Sequence, residues 1–128
     1  MMNAKNALLV LCWQTACLYH DKENSTLLPG AQSATEEESF ILDKIHDTHT
    51  PDVSWDEFND TYASFSKASD RTNACINVIR QESETFKKLV VECMTRIACA
   101  AVEDNNNDAI SVTERNFIEQ VAKAIGVF

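Results

Sequence analysis

The residues of this 128-residue chain best suited to chemistry are oxygen donors. Asp104, Asn106 and Asp108 alternate within Asp104-Asn105-Asn106-Asn107-Asp108, a run that leads into Ile110-Ser111-Val112-Thr113-Glu114. Hard divalent cations such as calcium and magnesium take several carboxylate and carbonyl oxygens from one loop, and alternate-residue spacing supplies them. An EF-hand asks in addition for glycine at its sixth place and a bidentate glutamate at its twelfth. Counted from Asp104, those places hold Ala109 and Arg115, and Glu114 falls one place early. Two readings stand: a calcium or magnesium site at Asp104, Asp108 and Glu114, and a solvated connector between two helices.

Glu114 also belongs to a helix start. Ser111-Val112-Thr113-Glu114 and Thr35-Glu36-Glu37-Glu38 both have the form of a capping box, in which hydroxyl and carboxylate each satisfy an orphan backbone N–H. The histidines offer less. His46 and His49, three apart and near Asp47 and Asp52, contain the atoms of a zinc or nickel site, but two surface histidines in a connector is the plainer account. His20 adjoins Asp21 in the same way. Nucleophilic catalysis has no context. There is no Gly-x-Ser-x-Gly elbow, P-loop or Gly-rich turn, and two glycines could hardly build one. No enzymatic activity is expected.

The elements that would carry these residues are helical. Two glycines and two prolines argue against an all-β fold with many tight turns, and 45% hydrophobic residues against disorder. A first helix spans Ala4 to Tyr19, apolar on most faces and so suited to the middle of a bundle. A second begins at Thr35 with Ile41, Leu42 and Ile45 inward, and His46 to Pro51 reads as a connector. A third opens on the box Ser54-Trp55-Asp56-Glu57 and carries Trp55, Phe58, Tyr62 and Phe65 on one face, expected in the core. Ser69-Asp70 reads as the turn and cap of a fourth helix bearing Cys75, Ile76 and Ile79, and Ser83 as the cap of a fifth. Phe86, Leu89, Val90, Cys93, Ile97, Ala98 and Ala101 stripe that fifth helix. The last buries Phe117, Ile118, Val121 and Ile125 and ends at Gly126. The five cysteines lack zinc spacing, and buried, reduced thiols are expected, Cys93 and Cys99 among Val, Ile and Ala included.

The two ends of the chain match. Leu8–Ile45 aligns with Leu89–Ile125, so that Ile41, Leu42 and Ile45 fall opposite Phe117, Ile118 and Val121. Each half is a helix, an acidic turn and a capped helix. On Ile97-Ala98-Cys99-Ala100-Ala101, Asp104, Ile110-Ser111-Val112-Thr113-Glu114 and Val121-Ala122-Lys123-Ala124-Ile125-Gly126, the chain resembles the tellurite-resistance TerB-like family. The resemblance implies a single all-α domain over 1–128, a bundle of about six helices with a pseudo-twofold internal repeat. Its halves would be 4–47 and 84–126, joined by helices within 54–82. It further implies a non-enzymatic protein of metal or tellurite-type stress, binding divalent cations through Asp104 with Glu114 and Asp21 with Glu38. The glycine usual after the acidic residue is here Lys22 in one half and Asn105 in the other.

Charge sets the remaining expectations. Twenty acidic against eleven basic residues give a net −9, with no Lys/Arg cluster for phosphate, so a nucleic-acid partner is not expected. An acidic surface suits cations or a basic protein, and a protein-interaction module needing no metal is the alternative function. Lys5 with Ala7 to Trp13 has some character of a signal peptide, Cys17 lying at a conceivable lipidation point. The apolar run is short and interrupted, which favours a core helix, no integral membrane segment and a cytoplasmic location.

Overall fold

Apolar residues on every side of the first helix require partners on every side, and the fold follows from that demand. In the computed structural model, residues 2–20, 36–100 and 112–127 are described, and they form six helices with no strand among them. Helix α1 (Ala4–His20) packs against α2 (Glu36–His49), α3 (Trp55–Ala63), α4 (Ala68–Ile79), α5 (Glu84–Ala100) and α6 (Val112–Ile125). The six consecutive residues Ala7 to Cys12 are each 0% exposed, which places α1 at the bundle axis. Helices α2 and α6 flank α5, and α4 touches α6. The chain is an all-α bundle, and no helix among the described residues is long and apolar enough to cross a membrane.

Local signals start and stop these helices. Asn3 Oδ1 accepts from the Asn6 amide at 2.8 Å and caps α1. Ser54 Oγ accepts from Glu57 N at 3.0 Å, and Ser83 Oγ from Phe86 N at 3.2 Å, so the serine caps expected for α3 and α5 are formed. Helix α6 ends in a Schellman motif. Val127 N donates to Ala122 O at 3.0 Å, Gly126 N donates to Lys123 O at 3.2 Å, and Gly126 takes φ 93°.

Three boundaries differ from expectation. Helix α3 stops at Ala63, where Ser64 N donates back to Thr61 O at 3.2 Å, so Phe65 lies in the connector and not on the apolar face of the helix. Helix α2 continues to His49 instead of yielding to a connector at His46. Pro51 constrains only the residue before it, Thr50, and Thr50 N still donates to His46 O at 3.0 Å. Helix α4 begins at Ala68 behind an extended Lys67 with no side-chain cap, so Ser69 and Asp70 sit inside its first turn. Asp70 there faces the positive end of the helix dipole.

One polar cluster lies within the apolar packing. Arg71, 2% exposed, donates from Nε to Tyr62 O at 3.1 Å and from Nη2 to Phe65 O at 3.0 Å, the carbonyls at and just past the end of α3. Its Nη1 donates to Gln14 Oε1 on α1 at 2.9 Å, and its guanidinium lies 3.9 Å from the centre of the Tyr62 ring. Gln14 Nε2 in turn donates to Thr72 Oγ1, which donates to Ala68 O at 2.9 Å. The guanidinium thus caps α3 and ties it to α1 and α4.

Gly126 generates the first prediction. A Cβ there would meet nothing within 4 Å, so the cost of Gly126→Ala is the left-handed backbone alone. Urea unfolding should register a loss of about 1–2 kcal/mol with an unchanged m-value; an unaltered midpoint would refute the cap.

Candidate functional site

The residues expected to bind cations are distributed as follows. Asp21, Asp104 and Asp108 lie outside the described residues, as do Thr35 and Ser111, the expected caps. Glu38 falls on the first turn of α2 and Glu114 on the first turn of α6, where Glu114 is buried at 1% exposure. Among the described residues no group of three or more His, Cys, Asp or Glu is arranged to hold a metal. His46 and His49 close the last turn of α2. His46 is committed locally: its Nε2 lies 2.6 Å from Val53 O, its Nδ1 3.2 Å from Asp47 Oδ1, and its ring stacks on Trp55 with centroids 4.5 Å apart.

That stack belongs to a site built where α1, α2 and α3 meet. A cavity of about 230 Å³ is walled by Trp13 from α1, Leu42 and Asp43 from α2, and Trp55, Phe58 and Asn59 from α3. The chain between α2 and α3 fixes its geometry. Thr50 and Val53 are both buried, and Val53 N donates to Thr50 O at 3.1 Å. His46 holds Val53 O, Ser54 caps α3, and Lys5 on α1 reaches Asp52 at 3.3 Å from outside. Asp52 is fully exposed. Its own backbone hydrogen bond, and then Lys5, hold its carboxyl below the usual carboxylate range.

The aromatic geometry is that of two walls at right angles. The Trp55 and Phe58 rings are 5.5 Å apart at 90°, and Phe58 continues the cluster to Tyr62 at 6.0 Å. Trp55 is 37% exposed, which corrects the expectation that the whole aromatic face of α3 is core; only Phe58 and Tyr62 are buried. Trp55 is the first residue of its helix, so it stands at the rim, where His46 covers one side and the cavity opens on another. Beside the site Phe40 is 58% exposed, with Lys44 Nζ 5.0 Å from its ring centre. Phe40 is out of phase with Leu42 and Ile45, the buried positions of its helix, and this was the available sequence signal of an aromatic turned outward.

A second cavity, of about 360 Å³, lies between the N-terminus and the end of α3, lined by Met2, Asp60, Thr61, Ser64 and Phe65. The cysteines are distributed differently from expectation. Cys12, Cys17, Cys75 and Cys93 are buried and Cys99 is exposed, with no disulfide among the described residues. The small residues around Cys99 gave a false impression of an inward face. Cys12 on α1 and Cys93 on α5 are hydrogen-bonding neighbours, and burial pushes the Cys12 thiol up. Burial likewise pushes the Cys75 thiol up to about 12, against a smaller pull from Arg71. Comparison with protein-family models, with curated proteins and with solved structures gave no match.

The thiols make a second prediction. Iodoacetamide at pH 8 should modify native protein first at Cys99, with Cys12 and Cys75 protected until urea unfolds the chain. Mass spectrometry of timed samples checks this order, and early labelling of Cys75 would contradict its burial.

Proposed function

We propose that the protein acts by binding and not by catalysis, as an acidic helical module that docks a basic protein partner on the α2–α3 side of the bundle. The observation that carries this reading is the aromatic-walled cavity with the Asp43 carboxylate in its lining. Charge around it has one dominant sign. Asp43, Asp47, Asp56, Glu57 and Asp60 are exposed on α2 and α3, and α3 contains no basic residue. Such a surface speeds the encounter with a cationic partner, and rigid aromatics at its centre supply contact area at low entropic cost.

The test is calorimetric titration with an amphipathic Lys/Leu peptide and with its Glu/Leu counterpart. The basic peptide should bind and weaken by about tenfold or more between 50 and 500 mM salt, and the acidic one should not bind. Failure of the basic peptide to bind, or binding indifferent to salt, would overturn the docking reading.

A second proposal concerns divalent cations and rests on Glu114. Its carboxylate is buried on the first turn of α6, directly after the Asp104–Asp108 run in sequence. A buried carboxylate in that position serves as a cap, and with its second oxygen toward the loop it would also serve calcium or magnesium together with Asp104 and Asp108. Asp21 and Glu38 would form the corresponding pair in the first half. This proposal carries with it the TerB-like assignment, the pseudo-twofold repeat, a cytoplasmic location and a part in metal or tellurite stress. Titration of wild type and Asp104→Ala with calcium and with magnesium decides it: heat in the wild type that is lost in the variant is expected, and no heat with either ion would remove it.

A further inference from the structure

We propose that the cavity between α1, α2 and α3 is a receptor for a single lysine side chain of the partner, with the ammonium held between the tryptophan walls and Asp43. This rests on the docking reading above and names the group that anchors it.

Size limits the occupant first. Drug-sized ligands need roughly 300–1,000 Å³, and this cavity offers about 230 Å³, room for one long side chain. The lining then sets its chemistry. Trp13, Leu42 and Phe58 present apolar surface of the kind a four-carbon stem covers, while Asp43 supplies the negative charge. A neutral aliphatic side chain would leave that carboxylate, Ser39 and Asn59 without a use; an anionic one would meet Asp43 unfavourably. Indole is the aromatic side chain that attracts a cation most strongly over its face, and two indoles line this one cavity. Trp55 and Phe58 meet edge to face at 90° and both line the cavity.

The walls are also pre-ordered. Trp55 is stacked by His46, whose Nε2 is bound to Val53 O, and Phe58 is buried among core residues. Little side-chain freedom is lost when a guest enters, which matters for a site taking one side chain. Phe40 and Lys44 do not compete for the cavity, because Lys44 lies over the Phe40 ring outside it.

Trp13 and Trp55 are the only tryptophans in the chain and both line this cavity, so fluorescence excited selectively at tryptophan reports on it. The probes are N-acetyl-lysine methylamide, its trimethylammonium form, and N-acetyl-norleucine methylamide as a neutral isostere. Both charged amides should give a saturable fluorescence change, with norleucine weaker by about fivefold or more. Asp43→Asn, at an exposed helix position, should weaken the lysine amide by a similar factor, and Trp55→Leu should abolish binding, with circular dichroism verifying that both variants fold. Norleucine matching lysine, Asp43→Asn titrating like wild type, or no saturable change with any probe would overturn the proposal. The two levels separate cleanly. If the amphipathic Lys/Leu peptide binds both variants as it binds wild type, docking stands and the cavity is not its anchor; if it does not bind wild type, docking itself falls.

Discussion

A buried guanidinium whose hydrogen-bond acceptors among the described residues include no carboxylate is the constraint on which the arrangement of this bundle depends. Burial of the Arg71 guanidinium at 2% exposure must be compensated by acceptors brought to its N–H groups. They come from three places at once: Gln14 on the axial helix, Tyr62 at the end of α3, and Phe65 in the connector beyond it. Tyr62 O is an orphan carbonyl of the last turn of α3, at the negative end of its dipole, and the Tyr62 ring lies against the same cation. Each partner therefore needs the charge as much as the charge needs them. Release of any one would leave a buried polar group unpaired.

From this anchor the candidate site follows. Helix α3 has only nine residues, too short to hold its own direction in water, and it is fixed at both ends. Its C-terminus is held by Arg71 and its N-terminus by Ser54 and the His46–Trp55 stack. With α3 held against α1, Trp55 and Phe58 line one cavity together with Trp13, and Asp43 on α2 is part of the same lining. The position of Trp55 at the rim thus depends in part on hydrogen bonds made in the core at the other end of α3.

The helices were legible in the sequence because their signals are local. The serines before α3 and α5 and Gly126 each act within one turn and appear where expected. Along the stripes of α5 and α6, Val90, Cys93, Ile97, Ala98, Ile118, Val121 and Ile125 are buried, while Phe86, Leu89 and Phe117 are only partly so. What escaped was decided by distant residues. Nothing around Arg71 marks it as buried, since two of its acceptors are backbone carbonyls, which any residue type supplies. The end of α2 escaped because the restriction from Pro51 reaches one residue and not five. Trp55 shares a stripe with Phe58 and Tyr62, and only its place on the first turn puts it at the rim. Asp43 had no signature of its own; it joins a cavity lining because residues of α1 and α3 line the same cavity. The alternating Asp and Asn run from 104 to 108 drew attention as chemistry, and the side chains gathered into a cavity came from three ordinary helices.

The central claim is that Arg71 and Gln14 act as one clamp between α1 and α3. A double-mutant cycle with Gln14→Leu and Arg71→Met, read by urea unfolding, tests it most directly. Arg71→Met alone should cost about 3 kcal/mol, because it leaves buried acceptors unpaired. The double variant should recover about 1.5 kcal/mol or more relative to the sum of the single losses. Losses that add to within about 0.5 kcal/mol would contradict the clamp.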